Sequence, residues 1–186
     1  MEKVKIVLLS LIIGFSSMAQ ESIVKEGLLR AQLTISPSTM LSGNESYFYL
    51  HGNLEGYVSN KISISGEGYY LLGNIKVPSI YDFPLSRNHN VFFGANYHFT
   101  KNNHDFYLGI QPGVAFTNVS FVFSDFSKPY INPVFSSVVG YNYYINNIFH
   151  FFVQTRLILG KHLANDVKSL NEIRFSAGLG FNFGTK

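Results

Sequence analysis

The sequence predicts an all-β protein, an eight-stranded antiparallel up-and-down transmembrane β-barrel with a filled polar lumen. Three observations carry this. Apolar and polar residues alternate with period two in eight segments of about ten residues each. Charged residues are 13% of the chain, about half the usual share, while aromatic residues reach 16%. The breaks between segments alternate between short turns and long loops. The last segment, "IRFSAGLGFNF" (173–183), sets the pattern: Ile173, Phe175, Ala177, Leu179, Phe181 and Phe183 share one phase, and Arg174, Ser176, Gly178, Gly180 and Asn182 the other. On a helix, at about 100° per residue, those apolar side chains would scatter around the cylinder.

The first residues stand apart from this pattern. A charged start (Glu2, Lys3, Lys5), the uncharged run "IVLLSLIIGF" (6–15) and small residues at Ser17 and Ala19 predict a secretory signal peptide over 1–19, with the barrel domain over 20–186. The apolar run is too short for a spanning helix, which needs roughly twenty residues, and no later stretch is longer. Removing 1–19 takes Lys3, Lys5 and Glu2 from 14 basic and 11 acidic residues, which leaves a net charge of +2. With no Lys/Arg-rich tract, nucleic acid is not an expected partner. Cysteine is absent, so disulfides, thiolate metal sites and a lipidated N-terminal Cys are excluded. In lipid, a chain without spanning helices satisfies its backbone groups only as a closed barrel.

Each strand follows in order. The first, 28–41, sets Leu29, Ala31, Leu33 and Ile35 against Arg30, Gln32, Thr34 and Ser36, with Pro37 toward its outer end because proline gives no ladder donor. The second, 47–58, sets Phe48, Leu50, Leu54 and Val58 against Tyr47, Tyr49, His51, Asn53 and Glu55. The third, 62–72, sets Ile62, Ile64, Tyr70 and Leu72 against Ser63, Ser65, Glu67 and Tyr69. The fourth, 89–99, turns Val91, Phe93, Ala95, Tyr97 and Phe99 one way, and the fifth, 106–117, does so with Phe106, Leu108, Ile110, Val114 and Phe116. Between them "TKNNHD" reads as a short turn. The sixth, 133–145, carries Phe135, Val139, Tyr141, Tyr143 and Ile145; the seventh, 148–160, opposes Phe149, Phe151, Val153, Leu157 and Leu159 to His150, Gln154 and Arg156. Breaks after the second, fourth and sixth strands are short, and those after the third, fifth and seventh are long. That is the pattern of bacterial outer-membrane barrels, with short turns periplasmic.

Charge decides which face is wet. The polar phase holds only Arg30, Glu55, Glu67, Arg156 and Arg174; the rest is Ser, Thr, Asn, Gln, His, Tyr and Gly. A solvated exterior would carry many more charges, so this phase is the lumen and the apolar phase faces outward. An eight-stranded barrel is just wide enough for side chains to fill. Buried charges there must be paired, and His51 and Gln154 join the same polar network. Arg30 is expected to meet Glu55 near the periplasmic end, Glu67 to take His51 or an Arg of a neighbouring strand, and Arg156 and Arg174 to share Asp166, Glu172 or loop carbonyls. Tyr70, Phe116, Tyr141 and Tyr143 are expected as a girdle at the outer ends of strands.

From these residues, and from "EGYVSNKISISGEGYYLLG" (55–73) with "GLGFNF" (178–183) in particular, the chain resembles the small outer-membrane β-barrel proteins of Gram-negative bacteria, of the outer-membrane protein A transmembrane-domain type, in a Bacteroidetes-like form. The resemblance implies outer-membrane lipid and lipopolysaccharide as surroundings. It also implies a terminal aromatic read by the barrel-assembly machinery; here Phe183 is followed by Gly-Thr-Lys. The expected function is structural or surface-interacting, without an open pore and without a cofactor. An extracellular partner would be met by the aromatic residues Phe121, Phe123, Phe126, Tyr130, Tyr81 and Phe83 of the long loops.

A secreted lipocalin-like carrier would need an apolar cavity and a charged exterior. A lipid A deacylase would need a His-x-Ser-Asn motif; "HLAND" (162–166) is similarly placed but has Ala164 where the hydroxyl would be, so no acyl-transfer nucleophile stands there. His51, His98 and His150 share the lumen phase without a matched carboxylate pair, and no metal site is expected.

Overall fold

The structure, a computed structural model, describes residues 23–43, 45–76, 85–119, 129–164 and 168–184. The expected signal peptide, 1–19, and the loop residues Tyr81, Phe83, Phe121, Phe123, Phe126 and Asp166 lie outside the described residues. Eight strands follow one another: β1 (Leu29–Met40), β2 (Ser46–Tyr57), β3 (Ile62–Lys76), β4 (Leu85–Lys101), β5 (His104–Val119), β6 (Tyr130–Tyr144), β7 (Phe149–Gly160) and β8 (Glu172–Phe183). They form one closed antiparallel barrel in sequence order, with β8 returning to pair β1.

The alternation dictates the faces. In β1 and β7 inward residues are buried and outward ones exposed along the strand. Leu33, Ile110, Phe93 and Leu54 are each 60% or more exposed, whereas Arg30, Arg156 and Arg174 are 0–1% exposed. A water-soluble protein has the opposite arrangement. An apolar skin over charged, enclosed residues is the form that hydrocarbon surroundings require. Strands of 12 residues or more, tilted by about 40°, are long enough to cross an apolar layer of roughly 25 Å.

Several strands run longer than alternation alone predicts. β4 begins at Leu85 and runs on to Lys101, and β5 begins at His104, so the "TKNNHD" turn shrinks to Asn102 and Asn103, with Asn102 in the left-handed region at φ 54°. Asp105 therefore lies in a strand and points inward. Tyr130, expected on a loop, is the first residue of β6; it is 40% exposed, with its ring 5.3 Å from that of His162. The aromatic girdle also differs from the expectation. Tyr141 and Tyr143 stand opposite Phe106 and His104, at the short-turn rim and not the outer one, because β6 runs downward. There they join Tyr97, Phe99 and Phe106; Tyr97 meets Phe99 edge to face at 5.0 Å, and the Tyr141 hydroxyl lies 2.6 Å from His104 Nδ1.

The closing seam is uneven. β1 and β8 are in register from Leu29↔Phe183 to Gln32↔Gly180 and again from Ser38↔Arg174, with no paired residues between. Pro37 offers no N–H in that gap. Side chains bridge it: Thr34 Oγ1 donates to the Ala177 carbonyl at 2.7 Å, and Ser36 and Ser176 hydroxyls lie 2.6 Å apart. The β4–β5 ladder has a similar gap between Phe92↔Gly113 and Ala95↔Ile110, beside Pro112. Here Gly94 lets the two backbones approach. A Cβ at 94 would sit 2.4 Å from the Ile110 carbonyl oxygen and 2.9 Å from Gln111 Cα, and a backbone cannot swing aside as a side chain can. Gly94→Ala is expected to weaken the barrel by about 1–3 kcal/mol, read as a lower temperature for conversion of the folded to the unfolded band on a detergent gel. An unchanged temperature would show that the two strands separate freely.

Candidate functional site

The lumen holds the densest chemistry of the molecule, and it is built in layers. Alternation delivers every inward side chain, and the register of the eight strands sets its height. Nearest the short-turn rim, Arg30 of β1 and Glu55 of β2 are register partners and form a buried ion pair. Arg30 Nη1 also donates to the Tyr144 hydroxyl at 2.9 Å and to Asp105 at 3.3 Å. Asp105 accepts further bonds from Tyr57 at 2.9 Å, Asn142 at 3.0 Å and Thr100 at 3.0 Å. His98 stands between the two carboxylates, 3.0 Å from Asp105 and 3.2 Å from Glu55. Asn96 donates to Glu55 at 2.9 Å.

The middle layer centres on Glu67 of β3. It pairs with Arg156 of β7 across the lumen and lies 3.0 Å from His51 Nε2. Gln111 donates to it at 3.0 Å, Gln154 at 3.1 Å and Tyr69 at 3.3 Å. Arg156 Nη1 in turn donates to Gln111 Oε1 at 2.9 Å and Ser136 Oγ at 2.6 Å, and its guanidinium lies over the Phe92 ring at 4.7 Å. Tyr107 donates to Gln154 at 2.8 Å. The Tyr107 ring occupies the space a side chain at Gly140 would take.

The outer layer is Arg174 with Glu172 at 2.7 Å. Asn90 also accepts from Arg174, and Tyr49 lies beneath the guanidinium at 3.8 Å. Asn88 donates to Tyr49 at 2.8 Å. Above it, Glu45 meets Lys168 and the Tyr47 hydroxyl.

Apolar side chains close both ends. Met40, Leu71, Leu85, Val134, Ile158 and Leu170 are buried toward the outer mouth. At the other end the segment before β1 folds under the barrel, with Ile23, Val24 and Leu28 buried against Tyr57 and Tyr144. Among the described residues, apolar side chains thus line both ends of the lumen and ion pairs cross-link it between them.

Arg30 with Glu55, and Glu67 with His51, are in contact; Gln154 joins Glu67. Arg174 takes Glu172. Arg156 does not share those outer partners: it sits one layer lower, where the Glu67 carboxylate reaches it from the opposite wall. Sequence reasoning missed Asp105, hidden in the apparent turn, and the plug of Ile23, Val24 and Leu28. The inward phase of β5, Gln111, Gly109 and Tyr107, extended back by two residues, could have pointed to Asp105. His150, 2.9 Å from Gln32 and 2.7 Å from Asn182, is held by amides. Among the described residues no group of three or more His, Asp or Glu side chains is arranged to hold a metal ion. Nor is there an apolar cup of the kind a lipocalin-like carrier needs, because the described interior is charged and filled.

These features define a small eight-stranded β-barrel of the outer-membrane type. Solved structures of that type share the fold. Neisserial surface protein A superposes with a TM-score of 0.61 at 14% identity, over 83% of this chain and 94% of that one. The N-terminal β-barrel domain of Pseudomonas aeruginosa OprF gives 0.53 at 15% identity, over 86% and 99%. Ail, the attachment invasion locus protein of Yersinia pestis, gives 0.56 at 11% identity, over 85% and 99%. No family model and no curated relative matches the sequence, so the likeness is one of fold.

Proposed function

We propose that this chain is an integral barrel of a Gram-negative outer membrane, exported by the signal peptide at 1–19 and inserted by the barrel-assembly machinery, with a structural or surface-interaction role and no open pore. One observation carries the reading: three fully buried arginines, each held by a carboxylate, cross-link a lumen capped at both ends. A closed interior leaves the outward surfaces to do the work. The barrel wall faces lipid, and the long loops after β3, β5 and β7 face the exterior and lipopolysaccharide. The loop aromatics Tyr81, Phe83, Phe121, Phe123 and Phe126, with Tyr130 at the start of β6, are the proposed contact surface. A neighbour in fold supports an outward binding role for this architecture, since Ail has been crystallised with the heparin analogue sucrose octasulfate.

Two measurements test the proposal. Purified protein inserted in planar bilayers is expected to give no stepwise conductance; regular open-channel steps would refute the closed lumen. Deleting 120–130 is expected to leave the folded band intact and to abolish attachment of protein-displaying bacteria to host-cell monolayers. Attachment equal to that of the full chain would refute a role for this loop.

A further inference from the structure

Two concavities adjoin at Tyr97. The first, about 530 Å³, lies at the short-turn rim, lined by Asn60, Lys61, Tyr97, Phe99, Thr100 and Lys101, with Val24 and His98 on its inner side. The second, about 600 Å³, runs up the wall across β3 to β6 and is overwhelmingly apolar. Register explains its shape. Ala95, Ile110 and Ser137 are partners across three strands, so two small side chains flank Ile110 and lower the surface. Ile62, Tyr97, Leu108 and Val139 stand around them, each 43–44% exposed.

The chemistry of the two is complementary along one line. Lys61 and Lys101 are exposed, and neither forms an ion pair with a described residue. Polar Asn60 and Thr100 stand beside them. From Lys101 to Ala95 is six residues of β4, about 20 Å along the strand, comparable to the distance from a lipid phosphate into its acyl chain. Tyr97, with Phe99 against it at 5.0 Å, marks the boundary where aromatic rings sit between headgroup and hydrocarbon. A ligand matching this line has an anionic head and an aliphatic tail.

We propose that the composite site holds one phospholipid of the periplasmic leaflet, its phosphate between Lys61 and Lys101 and an acyl chain in the trough at Ala95 and Ser137. The inference rests on the membrane orientation given under Proposed function. A free phosphate would use only the basic half, and the trough commits the site to a lipid.

Native mass spectrometry of the folded protein released from detergent, with added phosphatidylglycerol, provides the test. The full chain is expected to retain one lipid. Lys61→Gln with Lys101→Gln is expected to lower its apparent affinity by about thirtyfold, the combined weight of two lysines at an anionic interface. Ala95→Leu with Ser137→Leu, which fills the trough on the outward face, is expected to lower it as well, while inorganic phosphate in excess does not displace the lipid. Retention by the lysine variant equal to that of the full chain overturns the site, as does displacement by inorganic phosphate or indifference to the trough variant. Each variant is first shown to give the heat-convertible folded band and to insert into liposomes. Failure of the full chain itself to insert would instead refute the membrane orientation.

Discussion

Glu67→Gln is expected to lower the thermal stability of the folded barrel sharply although it changes neither side-chain volume nor surface. Glu67 accepts from His51, Gln111, Gln154 and Tyr69 and is the carboxylate partner of Arg156. A glutamine leaves Arg156, fully buried, without a counter-charge. It also turns an amide donor toward groups that are themselves donors. Removing one member of a buried ion pair typically costs about 3–5 kcal/mol, and at roughly 2–4 °C per kcal/mol for a chain of this size the unfolding midpoint should fall by about 10 °C or more. The measurement is the temperature at which the folded band converts to the unfolded one. Adding Arg156→Gln should recover part of the loss, because the two residues then differ from the native pair by two neutral amides. A midpoint unchanged in Glu67→Gln would mean that water, not the carboxylate, stabilises Arg156.

How much of this was legible in the sequence depends on what period two can encode. It gives faces: Ile62 and Ile64 against Ser63 and Ser65, Phe175 against Arg174 and Ser176. It also gives neighbours when a turn is tight, which is why Arg30 and Glu55, linked by one brief connection, could be paired in advance. It does not give partners across a lumen. Glu67 and Arg156 are 89 positions apart on strands that do not touch, and only closure of the sheet, with the tilt that closure imposes, brings them to one height. The same limit explains the misplaced aromatics. Tyr141 and Tyr143 read as outward and interfacial, but which rim they occupy follows from strand direction. Asp105 was obscured because Asn-Asn with flanking polar residues is a strong turn signal, and two residues suffice for the turn. The plug of Ile23, Val24 and Leu28 lies outside every alternating segment.

These same residues explain why a chain of such low charge places paired charges in its interior. In a barrel with an apolar skin the outward positions are fixed by hydrocarbon, and only the interior can specify a unique register. A one-residue slip would carry Arg30, Glu55, Glu67, Arg156 and Arg174 to the lipid face. Paired charges in the lumen thus act against every slip by an odd number of residues. The neutral bonds around them, Gln32 with His150 and Asn53 with Gln32, could be exchanged at smaller cost.

Arg30→Met should have the larger effect of the two lumen variants, because Arg30 serves two carboxylates. Its guanidinium bridges Glu55 of β2 and Asp105 of β5, and methionine keeps the buried stem while removing the charge. Glu55 and Asp105, each 0–1% exposed, would then share only His98 as a basic neighbour. Two uncompensated carboxylates in one layer exceed what a single broken pair costs, so refolding from urea into liposomes is expected to yield little or no folded band. Arg30→Met combined with Glu55→Gln and Asp105→Asn should fold far better, since a layer of neutral isosteres carries no desolvated charge. That ordering, with the triple variant above the single one, is what an electrostatic role demands. Arg30 also lies over the rings of Tyr57 at 5.2 Å and Tyr107 at 5.8 Å. If the triple variant folds no better than the single, those ring contacts and not the ion pairs hold the layer together.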